Sequence, residues 1–142
     1  MSVAHEYLHH IAIAALTAVQ GGVDKTQVNK LLEVLNAYDI NTLVVFMSRQ
    51  VTRKEFDKCT VRHLLSVIEE IVAETKKRNL DVKVEVRKAL GYFKWFYEIF
   101  SIPRSEALSN VMKRYSGVLS CRESLSSIKP ETYLELLKAA LT

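Results

Sequence analysis

The sequence has little of what turn-rich and disulfide-rich folds require. Its 142 residues include only four glycines and two prolines, too little turn chemistry for a many-stranded β fold. The two cysteines, Cys59 and Cys121, are too few for a thiolate zinc site, and they form no C-x-x-C pair. We expect two small buried thiols. A disulfide, unusual in the cytosol outside hyperthermophiles, is the alternative.

Long apolar runs are also missing. No uninterrupted run approaches the roughly 20 residues that cross a membrane. The start of the sequence lacks the basic region and the cleavage site of a secretory signal. We therefore expect a cytoplasmic protein without membrane contact. With 49% apolar and 25% charged residues, the composition is that of a globular protein, and we predict one domain over residues 1–142.

The spacing of apolar residues predicts helices. In residues 28–35 and 64–72, apolar side chains recur at three- and four-residue intervals, as they do on one face of a helix. Residues 81–86 alternate like a strand, but no turn separates them from residues 88–100, so we assign both to one long helix. The predicted helix starts are Ser2, Asp24, Asn41, Thr52, Thr60, Pro103, Ser120 and Pro130. The predicted fold is a compact all-α bundle of seven or eight helices.

Aromatic residues are concentrated in one predicted helix. Six of the twelve lie between Tyr92 and Phe100, and most of them share one broad helical face. Aromatic residues at helical spacing usually build cores, so we interpret this face as core. Trp95 and Tyr97 flank the polar stripe of the helix. Either ring could reach the surface and serve as a subunit interface or a base-stacking platform.

The stretch HEYLHH, residues 5–10, contains H-E-x-x-H, the zinc-hydrolase signature. On a helix, His5 and His9 would lie one turn apart and share a metal, with Glu6 polarising the bound water. No third ligand follows at a known spacing, and His63 could join only through tertiary contact. We therefore expect histidines at the exposed edge of the first helix, with no metal site and no catalytic residue.

Basic residues are concentrated in three segments, although the whole chain carries only +4. Residues 49–62 hold five cations against two carboxylates, residues 76–94 seven against two, and residues 104–122 four against one. The remainder is acidic, so the fold can have one basic and one acidic face. A basic face is typical of phosphate-backbone binding, and an acidic face would suit head-to-tail contact between copies or docking on a basic neighbour. Ordinary solvated helix faces are the alternative.

The segment VRKALGYFKWFYEIF, residues 86–100, carries a resemblance to a known family. Together with the length, the helical pattern and the basic charge, it resembles the small α-helical subunits of archaeal CRISPR effector complexes of type I-A or type III. NTLVVFMSRQ, residues 41–50, is similar to their apolar middle helix. The likeness covers residues 25–100. It implies an all-helical subunit without catalytic residues that lines a complex in several copies and contacts nucleic acid through basic side chains.

Charge pattern and resemblance lead to one hypothesis: a non-catalytic assembly subunit that binds nucleic-acid backbone and needs no cofactor. Its expected partners are the other subunits of a ribonucleoprotein complex, further copies of itself, and single-stranded DNA or RNA bound without sequence preference. The predicted phosphate contacts are Arg49, Arg53, Lys54, Lys58, Arg62, Lys77, Arg78, Arg87 and Lys94. A second hypothesis is a helical protein–protein adaptor of archaeal viral or replication machinery. A remote third is the zinc hydrolase.

Overall fold

The computed structural model describes residues 2–142, which form eight α-helices and no strand. The helices are α1 (Leu8–Gln20), α2 (Lys25–Ala37), α3 (Ile40–Thr52), α4 (Lys58–Lys77), α5 (Val82–Phe100), α6 (Glu106–Arg114), α7 (Ser116–Leu119) and α8 (Thr132–Ala140). Two 3₁₀ turns, Ala4–Tyr7 and Leu125–Ser127, precede α1 and α8. The all-α prediction is confirmed. None of the helices in this described part is both long and apolar enough to cross a bilayer.

α1 runs through the middle of the bundle and contacts α4, α5, α7 and α8. Every residue from His9 to Ala18 is buried. A helix covered on all sides lies at the centre of its fold, and the alanines of α1 let its neighbours approach closely. The prediction of an exposed histidine edge is therefore wrong for His9 and His10, because α1 has no solvent face at that point.

α5 supplies the aromatic part of the core. Phe93, Phe96 and Phe100 are buried, and the rings of Phe96 and Phe100 stack with centroids 5.9 Å apart. Asp81 caps this helix, since its side chain accepts a hydrogen bond from Val84 N at 3.2 Å. The prediction that residues 81–86 belong to a long helix is thus confirmed.

Several predicted helix starts are wrong. The side-chain caps are Asp39 on α3, Asp57 on α4, Asp81 on α5 and Ser105 on α6. Thr52 is instead the last residue of α3, where its hydroxyl donates to Arg49 O at 2.6 Å. An aspartate carboxylate is a stronger acceptor for a backbone N–H than a neutral hydroxyl, so the nearby aspartates cap where threonine was predicted.

Glu85 fastens the N-terminal segment to α5. Its buried Oε1 accepts hydrogen bonds from Val3 N at 2.8 Å and Ala4 N at 3.2 Å, and its Oε2 lies 3.2 Å from Lys88 Nζ. Burial opposes ionisation of Glu85, but these hydrogen bonds together outweigh it and lower the pKa of the carboxyl group. A carboxylate at this position therefore stabilises the start of the fold.

Candidate nucleic-acid interface

The cations of residues 49–62 lie around the junction of α3 and α4. A tight turn closes this junction: the backbone N–H groups of Glu55 and Phe56 both donate to Gln50 O, at 2.9 and 3.3 Å. Phe56 is 2% exposed and anchors the turn in the core. Lys54 adopts φ 61°, the left-handed conformation that commonly ends a helix. Apolar packing and backbone hydrogen bonds therefore hold the junction without using its charges.

α4 begins directly after this turn. Asp57 Oδ2 accepts a hydrogen bond from Thr60 N at 3.0 Å, and its Oδ1 accepts one from the Thr60 hydroxyl at 2.6 Å. Gly21 packs against this carboxylate at a point where any Cβ would collide with it. Lys58 is the first residue of α4 and Arg62 lies one turn later on the same face. The Asp57 carboxylate is therefore used as the helix cap and forms no salt bridge with Lys58 or Arg62.

We call this set of residues, Arg49, Arg53, Lys54, Lys58 and Arg62, the α3–α4 basic cluster. All five side chains are exposed, and none forms a salt bridge with another residue in the described range 2–142. Exposed cations without carboxylate partners retain the charge that phosphate contact requires.

The other predicted phosphate contacts lie in different surroundings. Arg78 donates to two carboxylates, Glu6 Oε2 at 2.5 Å and Glu74 Oε1 at 2.9 Å. The hydrogen bonds to Glu6 and then to Glu74 raise the pKa of its guanidinium group. Arg87 donates to Asn36 Oδ1 at 2.9 Å. Arg78 and Arg87 are thus engaged within the chain.

Lys77 and Lys94 complete the predicted set. Lys77 is exposed at the end of α4, and Lys94 is half-buried on α5. Lys77 is at the opposite end of α4 from Lys58, and Lys94 belongs to a different helix. Five of the nine predicted contacts therefore lie around the α3–α4 junction, and the other four lie at the end of α4 and on α5.

A disulfide joins Cys59 to Cys121, with the two Cα atoms 5.6 Å apart. The expectation of two separate thiols is wrong. Cys59 lies in the first turn of α4, and the chain that leaves α7 turns back to meet it. Cys121 has φ 62°, a left-handed conformation that reverses the chain there. The disulfide thus fixes the start of α4 to the turn after α7.

His63 lies beside the disulfide. Its Nε2 is 2.7 Å from Val118 O and 3.5 Å from each sulfur. Burial lowers the pKa of His63, and the hydrogen bond to Val118 opposes this change. Cys59, His63 and Cys121 are the one group in residues 2–142 whose ligand atoms are close enough to share a metal, all within 4.8 Å. In this oxidised form the sulfurs are bonded to each other and Nε2 donates to Val118.

A pocket of about 480 Å³ lies next to the disulfide, between α4 and residues 120–125. Arg62 and Ser66 line it from α4, and Arg122 and Ser124 line it from the turn. Arg122 belongs to a basic segment of the sequence but not to the predicted phosphate contacts. The signal that could have identified it is its position next to Cys121, because pairing of the cysteines brings Arg122 to α4.

The two predicted interface aromatics have different positions. Trp95 is 63% exposed, and its ring meets the edge of Tyr92 with centroids 6.0 Å apart. Tyr97 is buried, and its hydroxyl donates to Val23 O at 2.5 Å. Tyr97 is therefore a core residue in this chain, and its prediction as an interface residue is wrong. Trp95 remains a surface ring.

The H-E-x-x-H stretch does not form one α-helical turn. His5 and Glu6 lie in the 3₁₀ turn, whereas His9 lies in α1. His5 Nε2 is 2.5 Å from the Tyr92 hydroxyl, and Glu6 pairs with Arg78. His9 is buried in the core. His5 and His9 thus lie in different surroundings. They do not share the α-helical turn that the zinc-hydrolase hypothesis requires.

Protein-family models, curated protein sequences and solved structures gave no match to this chain.

Proposed function

We propose that this chain is a non-catalytic helical subunit that binds the backbone of single-stranded nucleic acid, of the kind found in RNA-guided CRISPR interference complexes. The observation that carries the proposal is the α3–α4 basic cluster, in which five exposed cations have no carboxylate partner among residues 2–142. The all-helical fold agrees with the family that residues 25–100 resemble.

The chemistry of the cluster favours phosphate over bases. Arginine presents parallel N–H donors that match phosphate oxygens, and lysine adds a compact positive charge. The described part of the chain has no strand that could provide a β-sheet platform for bases. Contact with the nucleic-acid backbone alone predicts binding without sequence preference and an affinity that falls steeply as the salt concentration rises.

The experiment is fluorescence anisotropy of labelled oligo(U) and oligo(dT) over a series of salt concentrations. We expect the triple variant Arg53→Gln, Lys58→Gln, Arg62→Gln to bind more weakly. Its slope of log affinity against log salt should be shallower by about 2, because each phosphate contact on a single strand contributes about 0.7. The variant changes exposed side chains only, so the fold should remain.

The matched control is the triple variant Lys113→Gln, Lys129→Gln, Lys138→Gln, which removes the same charge from exposed positions outside the cluster. It should retain most of the binding and the wild-type slope. Equal weakening by both triple variants would show that net charge, not the cluster, attracts the strand. Salt-insensitive binding, or no binding even within an assembled complex, would contradict the proposal.

The exposed Trp95 ring favours a second candidate, the protein–protein adaptor. Large exposed aromatic side chains are common at the centre of interfaces. The cluster variant separates the two functions. Loss of nucleic-acid binding with assembly intact supports the first, and loss of partner binding alone supports the adaptor. An operon of CRISPR-associated genes around this one would identify the partners to test.

A further inference from the structure

The pocket beside the disulfide has two basic walls. Arg62 lies on α4 and Arg122 on the turn after α7, and both line the same space of about 480 Å³. Ser66 and Ser124 add a hydroxyl on each side. The pocket therefore combines two permanent positive charges with hydroxyl donors, the groups that bind phosphate oxygens.

Both guanidinium groups have donors to offer a ligand. Arg62 forms no salt bridge within residues 2–142. Arg122 Nε donates to the Ser120 hydroxyl at 3.0 Å, which orients the side chain and leaves its two NH₂ groups for an anion. Two like charges that face one pocket repel each other, and a bound anion removes that repulsion.

Glu123 is the one carboxylate among the residues that line the pocket. Its backbone N–H donates to Gly117 O at 3.0 Å, and its side chain lies against Gly117 at a point where any Cβ would collide with it. Glycine at position 117 thus leaves room for the carboxylate beside α7. Its negative charge still opposes an anion, so neutralising Glu123 should strengthen binding.

The disulfide joins the two walls of the pocket covalently. Cys59 lies three residues before Arg62, and Cys121 directly precedes Arg122. The bond between them ties both arginines to one rigid point, although about 60 residues separate them in the chain. Without it, only non-covalent contacts would hold the Arg122 turn against α4.

We propose that Arg62 and Arg122 form a phosphate-binding subsite that the Cys59–Cys121 disulfide holds together. The subsite rests on the proposed function and extends it, because it adds a phosphate contact beyond the α3–α4 basic cluster. It also makes binding depend on oxidation state. A dithiol that reduces the bond donates two electrons and two protons, leaves two thiols and becomes a disulfide itself, and the Arg122 turn is released.

Isothermal titration of the oxidised full-length chain with pyrophosphate tests the subsite. Arg122→Gln should weaken binding about tenfold, the loss expected for one charge-assisted contact. Glu123→Gln should tighten it. The control is Arg104→Gln, an exposed arginine that lines a different pocket, which should bind like the wild type. Equal affinity of Arg122→Gln and the wild type would overturn the subsite.

The same variants with oligo(U) distinguish nucleic-acid phosphate from free phosphate. Weaker oligonucleotide binding by Arg122→Gln supports a backbone contact. Lost pyrophosphate binding with unchanged oligonucleotide binding would contradict that extension and assign the pocket to free phosphate compounds. If oligonucleotide binding needs Arg122 but not Arg53 and Lys58, the subsite stands and the proposed role of the cluster fails.

The double variant Cys59→Ser, Cys121→Ser tests the role of the disulfide, with circular dichroism to confirm helicity. A helical variant that has lost affinity for pyrophosphate supports the proposal. A helical variant that binds as tightly as the oxidised protein shows that the disulfide does not organise the site. If the variant unfolds, the oxidised Arg122→Gln and Arg104→Gln pair still decides whether the subsite exists.

Discussion

Residues 49–62 and residues 76–94 look alike in the sequence and differ in the structure. Both are rich in lysine and arginine. In the first segment the cations are exposed and without salt bridges inside the described chain, whereas in the second several are bound. The bound pairs are Arg78 with Glu6 and Glu74, Lys83 Nζ with Tyr38 O, Arg87 with Asn36, and Lys88 with Glu85.

The difference lies in what holds each segment in place. The first is fixed by the buried Phe56, by the Asp57 cap and by the disulfide of Cys59, none of which uses a cation. The second also has an apolar support, which includes the buried Val86 and Phe93 of α5, but several of its cations form additional contacts with the N-terminal segment and α2. Charge density alone therefore does not identify a binding surface. The surface available to phosphate is the one whose cations form no salt bridge within the described chain.

The largest expected effect comes from removing the Cys59–Cys121 disulfide. Reducing the disulfide, or changing both cysteines to serine, should lower the free energy of unfolding by about 4 kcal/mol, because the bond closes a loop of about 60 residues in the unfolded chain. Denaturant unfolding of oxidised and reduced protein measures this. Hydrogen exchange should rise first at the start of α4 and in residues 120–125, and less in residues 76–94.

The control for this prediction is reductant added to the double serine variant, which should have no effect. A change below about 1 kcal/mol on reduction would show that packing at the α3–α4 junction holds without the bond. The contrast between the two segments would then rest on charge alone.

Acid should lower the free energy of unfolding through His10, whose side chain lies between α1 and α4. His10 is buried in α1 with its Nδ1 3.3 Å from Glu70 Oε2 on α4, and its ring lies 4.1 Å from that of His9. Burial, with smaller contributions from His9 and His63, lowers the pKa of His10 to about 4, against an opposing hydrogen bond to the Leu125 backbone. The folded chain thus keeps His10 neutral while the unfolded chain protonates it below its ordinary pKa of 6.5.

The stability that neutral His10 provides is complete above pH 6.5 and is lost as the pH falls towards 4. The pKa difference corresponds to about 3 kcal/mol. Unfolding measured across this range tests it, and His10→Gln should flatten the profile. The quantity to compare is the slope of the free energy of unfolding against pH, because the variant can be less stable than the wild type at every pH. An unchanged slope in the variant would assign the acid sensitivity to other groups.

Much of the fold was predictable because helical spacing is a local property. The amphipathic patterns of α2 and α4 and the continuity of α5 follow from neighbouring residues. The central position of α1 did not follow in the same way. Its ten-residue buried stretch, His9 to Ala18, includes histidines and a threonine that look like surface residues. Only the packing of four other helices around α1 removes its solvent face.

The candidate site was predictable only in part, for a related reason. Arg53 and Lys58 are exposed because of local turn geometry, and the charge pattern indicated them. The bonds of Arg78 to Glu6 and of Cys59 to Cys121 join residues more than 60 positions apart. No local pattern specifies such pairs. The sequence alone therefore could not show that Arg78 binds Glu6 or that Arg122 approaches Arg62. Both contacts are visible only in the folded chain.

The smallest expected effect compares one carboxylate from each segment. Glu85→Gln removes the charge that attracts Lys88 and weakens the acceptor for Val3 N and Ala4 N. We expect a loss of about 2 kcal/mol in the free energy of unfolding, since hydrogen bonds to a buried charge contribute on that order.

Glu55→Gln is the matched change between α3 and α4, where no hydrogen bond or salt bridge to its side chain occurs among the described residues. It should change stability by less than about 0.5 kcal/mol. Chemical denaturation of both variants measures the difference. Equal losses would mean that carboxylates support both segments, and the exposed cations of the α3–α4 basic cluster would then be part of the fold's own charge balance.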